Sequence, residues 1–228
     1  RFQDRTDFEG DIGNFEKAGV GVDGTYSLYF GTQIVKNLIF QLQYAGVSEN
    51  SKDSNDGYDI YIAEARYNFP YEYKPFIIGQ YLTTHYDKAN TKDGNSYGLV
   101  VGMQDFHGLY AYLAYDRISD EGVVDQGVGG ATALHTNGHN YDAWSSTFPN
   151  TKAYKTKWEY QLDKVRLKAS YALYKRKNQK NVNETNFSVH YKPRKNIELV
   201  IRQSWFKNEY AFDLGVDSLL ITKAIYSF

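Results

Sequence analysis

From Tyr26 to the C-terminus the dominant period of the sequence is two. Val165, Leu167, Ala169, Tyr171 and Leu173 alternate with Arg166, Lys168, Ser170 and Tyr174. Phe187, Val189 and Tyr191 alternate with Asn186, Ser188 and His190, and Ile197, Leu199, Ile201 and Trp205 with Glu198, Arg202 and Ser204. Successive side chains of a β-strand point to opposite faces, so each segment carries one apolar and one polar face. Eleven segments of this kind are expected, at 25–34, 38–48, 58–69, 75–86, 96–106, 109–118, 151–162, 165–176, 185–192, 197–208 and 216–228. Soluble proteins use strands of about 5–6 residues. Here most are about twice as long, and ten residues at a ~40–45° tilt cover ~24 Å, the height of the apolar band of a transmembrane barrel.

The connections alternate in length. Val35-Lys36-Asn37, Pro70–Lys74, His107-Gly108, Asp163-Lys164 and Pro193–Asn196 are short. Residues 49–57, 87–95, 119–150, 177–184 and 209–215 form long polar connections. Short turns on one side and long loops on the other mark an antiparallel up-and-down β-barrel in an outer membrane. The expected fold class is therefore all-β, one barrel domain over 1–228, with 119–150 as a long extracellular loop that can narrow the mouth.

Composition agrees by exclusion. The chain of 228 residues has no Cys, so it has neither a disulfide framework, a Cys-based zinc site nor a thiol nucleophile. No run of ~18 apolar residues suggests a transmembrane helix. With 22 Tyr, 13 Phe and 3 Trp it is too aromatic to be disordered. No signal peptide is visible, and the chain starts at Arg1, as expected of a mature form or a piece of something longer.

The net charge of −1 conceals two halves. Residues 1–150 carry 10 Lys+Arg against 20 Asp+Glu, and residues 151–228 carry 16 against 7. In a membrane barrel the apolar face meets lipid and the polar face lines the lumen. Parity then directs Arg66, Lys155, Lys157, Arg166, Lys168, Arg176, Arg202 and Lys223 inward, with Glu64, Glu159 and Glu198 as acidic neighbours. A file of cations between low-dielectric walls focuses a field that guides an anionic group. Arg suits the task because its planar fork pairs with carboxylates and keeps its charge. The plainer reading is that any lumen is polar and that these cations only pair with the acids. Lys175 and Lys177 lie near the outer end, facing water or lipopolysaccharide phosphates.

Loop 119–150 contains Val128, Leu134, Tyr141, Trp144 and Phe148, which argue against disorder. Folded into the mouth it would place Asp120, Glu121, Asp125 and Asp142 at a constriction. An acidic mouth facing a basic wall suits a carboxylate or a solute with both charges.

Other chemistries fare worse. Gly127-Val128-Gly129-Gly130 lacks the Lys-Ser/Thr of a phosphate loop. His135 and His139 have no helix or carboxylate motif around them, so no metal is assigned. Ser188 and His190 share a face at i, i+2, but no third residue or oxyanion donor is evident, so no hydrolase and no catalytic residue is assigned. The basic C-terminal segment is interleaved with an apolar face, which argues against nucleic acid.

The chain ends Ala224-Ile225-Tyr226-Ser227-Phe228. Tyr226 and Phe228 share a face and can enter an aromatic girdle. This end resembles the closing strand of bacterial outer-membrane proteins. Residues 184–191, 195–203 and 216–221 are similar to the last two hairpins of the OprD family of substrate-specific porins. Ala111–Asp120, the Gly-Gly pair at 129–130 and Asn150–Tyr154 resemble that family's strand–long loop–strand segment. The terminal Phe departs from many members, which end in an aliphatic residue.

The resemblance implies that the chain is the C-terminal part of an 18-strand barrel, that 119–150 is a constriction loop, and that Arg166, Lys168, Lys157 and Arg202 belong to a basic ladder. The expected role is passive, charge-selective diffusion of small water-soluble solutes, carboxylate-bearing or amino-acid-like, in a monomer or trimer. Its surroundings would be outer-membrane lipid and lipopolysaccharide, with no cofactor and no covalent chemistry. Parity makes residues 1–24 an outer loop, so N-terminal strands are expected to be missing. Two alternatives stand: a small 12-strand barrel with an acidic-sugar channel or an enzymatic role, and a soluble ligand-binding β-barrel.

Overall fold

A computed structural model describes residues 25–47, 57–88, 90–124, 134–137, 148–177, 181–207 and 218–226. They form eleven strands: β1 (Thr25–Val35), β2 (Leu38–Val47), β3 (Tyr58–Asn68), β4 (Pro75–Tyr86), β5 (Gly94–Phe106), β6 (Leu109–Ile118), β7 (Thr151–Leu162), β8 (Val165–Arg176), β9 (Val182–Arg194), β10 (Ile197–Lys207) and β11 (Ser218–Tyr226). Their order in the sheet is their order in the chain, and every neighbouring pair is antiparallel. This is an up-and-down meander, the all-β class expected from the period. Among the described residues β1 and β11 do not pair with each other.

Two strands outrun their apolar pattern. β5 begins at Gly94, where Gly94 and Asn95 pair with Thr84 and Thr83. β9 begins at Val182 and runs on through Asn183 and Glu184 opposite Tyr174, Leu173 and Ala172. A ladder needs only paired backbone groups, so strands extend past the point where side-chain polarity stops alternating.

Three of the tight turns use residues with positive φ. His107 (51°) and Gly108 (85°) together form the β5–β6 turn, a pair of left-handed residues that matches the twist of flanking strands. Asn37 (72°) and Asp163 (43°) serve the β1–β2 and β7–β8 turns.

Burial is inverted relative to a water-soluble protein. On β4 the residues Phe76, Ile78, Gln80, Leu82 and Thr84 are buried, and Ile77 and Tyr81 between them are exposed. The exposed face is rich in large apolar side chains: Leu28 is 71% exposed, Leu113 61%, Leu220 63%. The buried face carries Gln43, Glu64, Asp116, Lys155, Glu184, His190 and Arg202. Exposing the apolar face to water costs about 25 cal/mol per Å², so that face belongs in lipid. A small apolar core lies on the inner side, where Ala45, Tyr58, Ile60, Ile62, Leu82 and Ile118 pack with Val124 and Leu134 of the β6–β7 connection.

Candidate channel lining

The inner face is built from rows of register partners running across the strands. One row is Lys157 (β7), Ser170 (β8), Asn186 (β9) and Ser204 (β10). The next is Glu159, Lys168, Ser188, Arg202 and, on β11, Ile221. The third is Gln161, Arg166, His190, Val200 and Lys223. Antiparallel pairing holds opposed residues about 4.5–5.5 Å apart at Cα, so each row brings its side chains together. A fourth row runs Glu64, Gln80, Gly98, Asp116 and Ala153 across β3 to β7.

Most of the named cations have local partners. Lys157 Nζ lies 2.8 Å from Glu159 Oε1. Glu198 Oε1 accepts from Arg166 Nη2 at 3.4 Å, and Glu198 Oε2 faces Lys192 Nζ at 3.2 Å. Arg66 donates to Asn68 Oδ1 at 2.9 Å and lays its guanidinium 4.4 Å from the Phe76 ring centroid. Arg176 stands 5.0 Å over Phe148. Both are cation–π seats, which keep the charge while covering its apolar stem.

The β6–β7 connection enters this face. Residues Leu134–Asn137 form a turn closed by Asn137 N–H donating to the Leu134 carbonyl at 3.0 Å. His135 Nε2 meets Glu64 Oε2 at 2.9 Å. Asp116 Oδ2 accepts from the Thr136 hydroxyl at 2.6 Å and from its backbone N–H at 3.2 Å. The Tyr174 hydroxyl donates to the Thr136 carbonyl at 2.8 Å, and Lys155 Nζ donates to the Asn137 carbonyl. Four strands thus hold one short turn, with Leu134 and Thr136 almost fully buried.

Two of the acidic loop residues have local partners. Asp120 pairs with Arg117 at 2.6 Å and Glu121 with Lys92, and both acids are exposed. Asp125 and Asp142 lie outside the described residues, as do Val128, Tyr141, Trp144, Phe228 and residues 1–24. The turn residues His135 and Thr136 lie in a segment without alternation, so parity gives them no face. Asp116 had a signal, since parity puts it on the inner face between Tyr115 and Arg117. In the neighbouring 87–93 connection, a 2.7 Å hydrogen bond with His85 holds the Asp93 carboxyl below the usual carboxylate range.

No protein-family model and no curated protein matches this sequence. Solved structures do match in three dimensions. OccK5 (OpdH) of Pseudomonas aeruginosa superposes over 92% of this chain and 60% of its own, with a TM-score of 0.70 at 13% identity. The fold is that of an outer-membrane porin. OccAB2 of Acinetobacter baumannii covers 89% of this chain and 53% of its own (TM-score 0.63, 17% identity). The outer membrane protein OprD of P. aeruginosa covers 88% and 58% (TM-score 0.60, 16% identity). The chain therefore spans about 60% of the length of the OccK5 porin it matches. At these identities the porin fold is shared, and the side chains on its inner face are this chain's own.

Proposed function

We propose that this chain forms the larger part of the wall of an outer-membrane channel for passive diffusion of small, carboxylate-bearing or amino-acid-like solutes. The inverted burial carries the reading: an exposed apolar face suits lipid, and a polar inner face suits a water-filled lumen. Arg66, Lys155, Lys157, Arg166, Lys168, Arg176, Arg202 and Lys223 supply the positive wall. Glu159 and Glu198 tie Lys157 and Arg166 in place, and Glu64 lies on the same inner face. A carboxylate entering such a lumen loses water on one side and gains a fixed cation on the other. At an effective dielectric constant of ~20 a contact pair at ~4 Å is worth about 4 kcal/mol before desolvation, enough to bind and weak enough to release. The seated Leu134–Asn137 turn supports a narrowed mouth in the segment between β6 and β7. We place the channel in the outer membrane of a Gram-negative bacterium, among lipid and lipopolysaccharide, as a monomer or trimer and without a cofactor.

Single-channel recording of the full-length protein in a planar bilayer under a salt gradient tests this. Discrete steps with a reversal potential on the anion side are expected. Arg166→Glu with Lys168→Glu should move that potential toward cation preference. An unchanged reversal potential would remove the basic wall from the account, and silent bilayers would remove the channel.

A further inference from the structure

The inner face holds one arrangement that solvation of a polar wall does not call for. His190 on β9 places Nε2 3.1 Å from Ser188 Oγ and Nδ1 2.9 Å from Glu198 Oε1. Glu198 comes from β10, beyond the Lys195-Asn196 turn. A carboxylate only accepts, so the imidazole hydrogen sits on Nδ1 and Nε2 keeps its lone pair. The Ser188 hydroxyl therefore donates to Nε2. Lys192 and Arg166 bracket Glu198 at 3.2 and 3.4 Å and fix its orientation. A hydroxyl, a base and an orienting acid in this order are the parts of an activated nucleophile.

The surroundings of Ser188 add the remaining part. Its register partners are Lys168 on β8 and Arg202 on β10. Ser188, Lys168 and Arg202 line one small cleft together with Lys157, Ser170 and Asn186. Cations on both neighbouring strands are the kind of charge that would stabilise the negative oxygen of an attacked carbonyl. The same cations would hold an anionic group on the substrate.

We propose that Ser188, His190 and Glu198 form a serine-hydrolase site on the inner wall, acting on small esters that carry an anionic group. Ser188 Oγ attacks the ester carbonyl carbon and its proton passes to His190 Nε2. The carbonyl electron pair moves to oxygen, facing Lys168 and Arg202. Collapse restores the carbonyl and breaks the bond to the alcohol oxygen, which leaves with the proton from Nε2. Water then attacks the acyl-serine, giving a proton to Nε2, and Ser188 departs and recovers that proton. The sum is ester plus water to acid plus alcohol, with no redox change and no co-reactant.

The test uses the full-length protein folded in detergent and reads chemistry, so its outcome is independent of conduction. A fluorophosphonate probe should label the wild type, with the adduct located on the peptide containing Ser188. The anionic ester 4-acetoxybenzoate should be hydrolysed faster than neutral phenyl acetate. Ser188→Ala should abolish labelling and turnover, and His190→Gln should lower kcat by roughly 10²–10⁴-fold. Glu198→Gln should lower kcat and displace the acid limb of the pH profile. Heat-modified gel migration verifies that each variant has folded. An unlabelled, inactive wild type overturns the proposal whatever the variants do, and so does an adduct on another residue. Equal rates on the two esters overturn the anionic preference.

Discussion

Asp116 shows how tightly the inner face is fitted at the scale of one residue. It is fully buried, and its Oδ2 takes both Thr136 hydrogen bonds. Its other oxygen faces Gly98, where an added Cβ would stand 2.4 Å from it. Gly98→Ala should therefore push Asp116 off Thr136 and cost about 1–3 kcal/mol, measured as a fall in the urea midpoint of the folded barrel. Gly79→Ala is the control, because a Cβ there meets nothing within 4 Å. Asp93 gives a pH prediction outside the strands. Its carboxyl is held low chiefly by the His85 hydrogen bond, with help from the Tyr86 backbone N–H. The contribution is complete above the unfolded value of ~3.9 and disappears as pH falls through the lower folded value. Site-resolved NMR titration should find Asp93 below ordinary aspartates, and His85→Gln should bring it back up.

At the scale of the element, each strand is a two-sided object whose sides tolerate opposite substitutions. Leu113 lies mid-strand on the exposed apolar face of β6. Leu113→Lys should destabilise the barrel in lipid by about 2–4 kcal/mol, the cost of a cation on the lipid face at mid-depth. Ser170→Ala on the inner face of β8 should change stability far less. The Leu134–Asn137 turn behaves as an element too, since β3, β6, β7 and β8 all hold it. Thr136→Val removes the hydroxyl donor to Asp116 and should loosen the turn. Higher single-channel conductance is the expected reading; an unchanged conductance would place the turn off the conduction path. The eleven strands were legible because long alternating segments have one way to pair their backbone and sort their faces. The turn was not, because Leu134-His135-Thr136-Asn137 has no period and its partners lie on four separate strands.

At the scale of the whole molecule, the apolar outer surface predicts where the protein resides. Trp158 and Trp205 both face outward, 46% and 47% exposed. In a Trp144→Phe background their fluorescence should be quenched strongly by brominated lipid and weakly by aqueous iodide. The reverse pattern would remove the membrane from the account. The outer strands β1 and β11 each lack a second partner among the described residues. Unpaired edges are costly in lipid, where no water satisfies the backbone. The structural neighbours are longer, and this chain covers 60%, 53% and 58% of the length of OccK5, OccAB2 and OprD.

The period of two by itself determined the strands, their approximate bounds and the face each side chain takes, because those follow from backbone geometry that every residue shares. Loop parity determined the up-and-down order for the same reason. Only the tertiary structure decided which side chains meet. Asp120 and Glu121 found Arg117 and Lys92, while Glu64 and Asp116 took the turn residues His135 and Thr136. Ser188 and His190 are two residues apart and visible as a pair, but Glu198 joins them through the β9–β10 register. That register shifts between Ile197 and Leu199, an irregularity that alternation does not encode. Contact between residues distant in the chain depends on pairing register and side-chain reach, and neither is written in a local pattern.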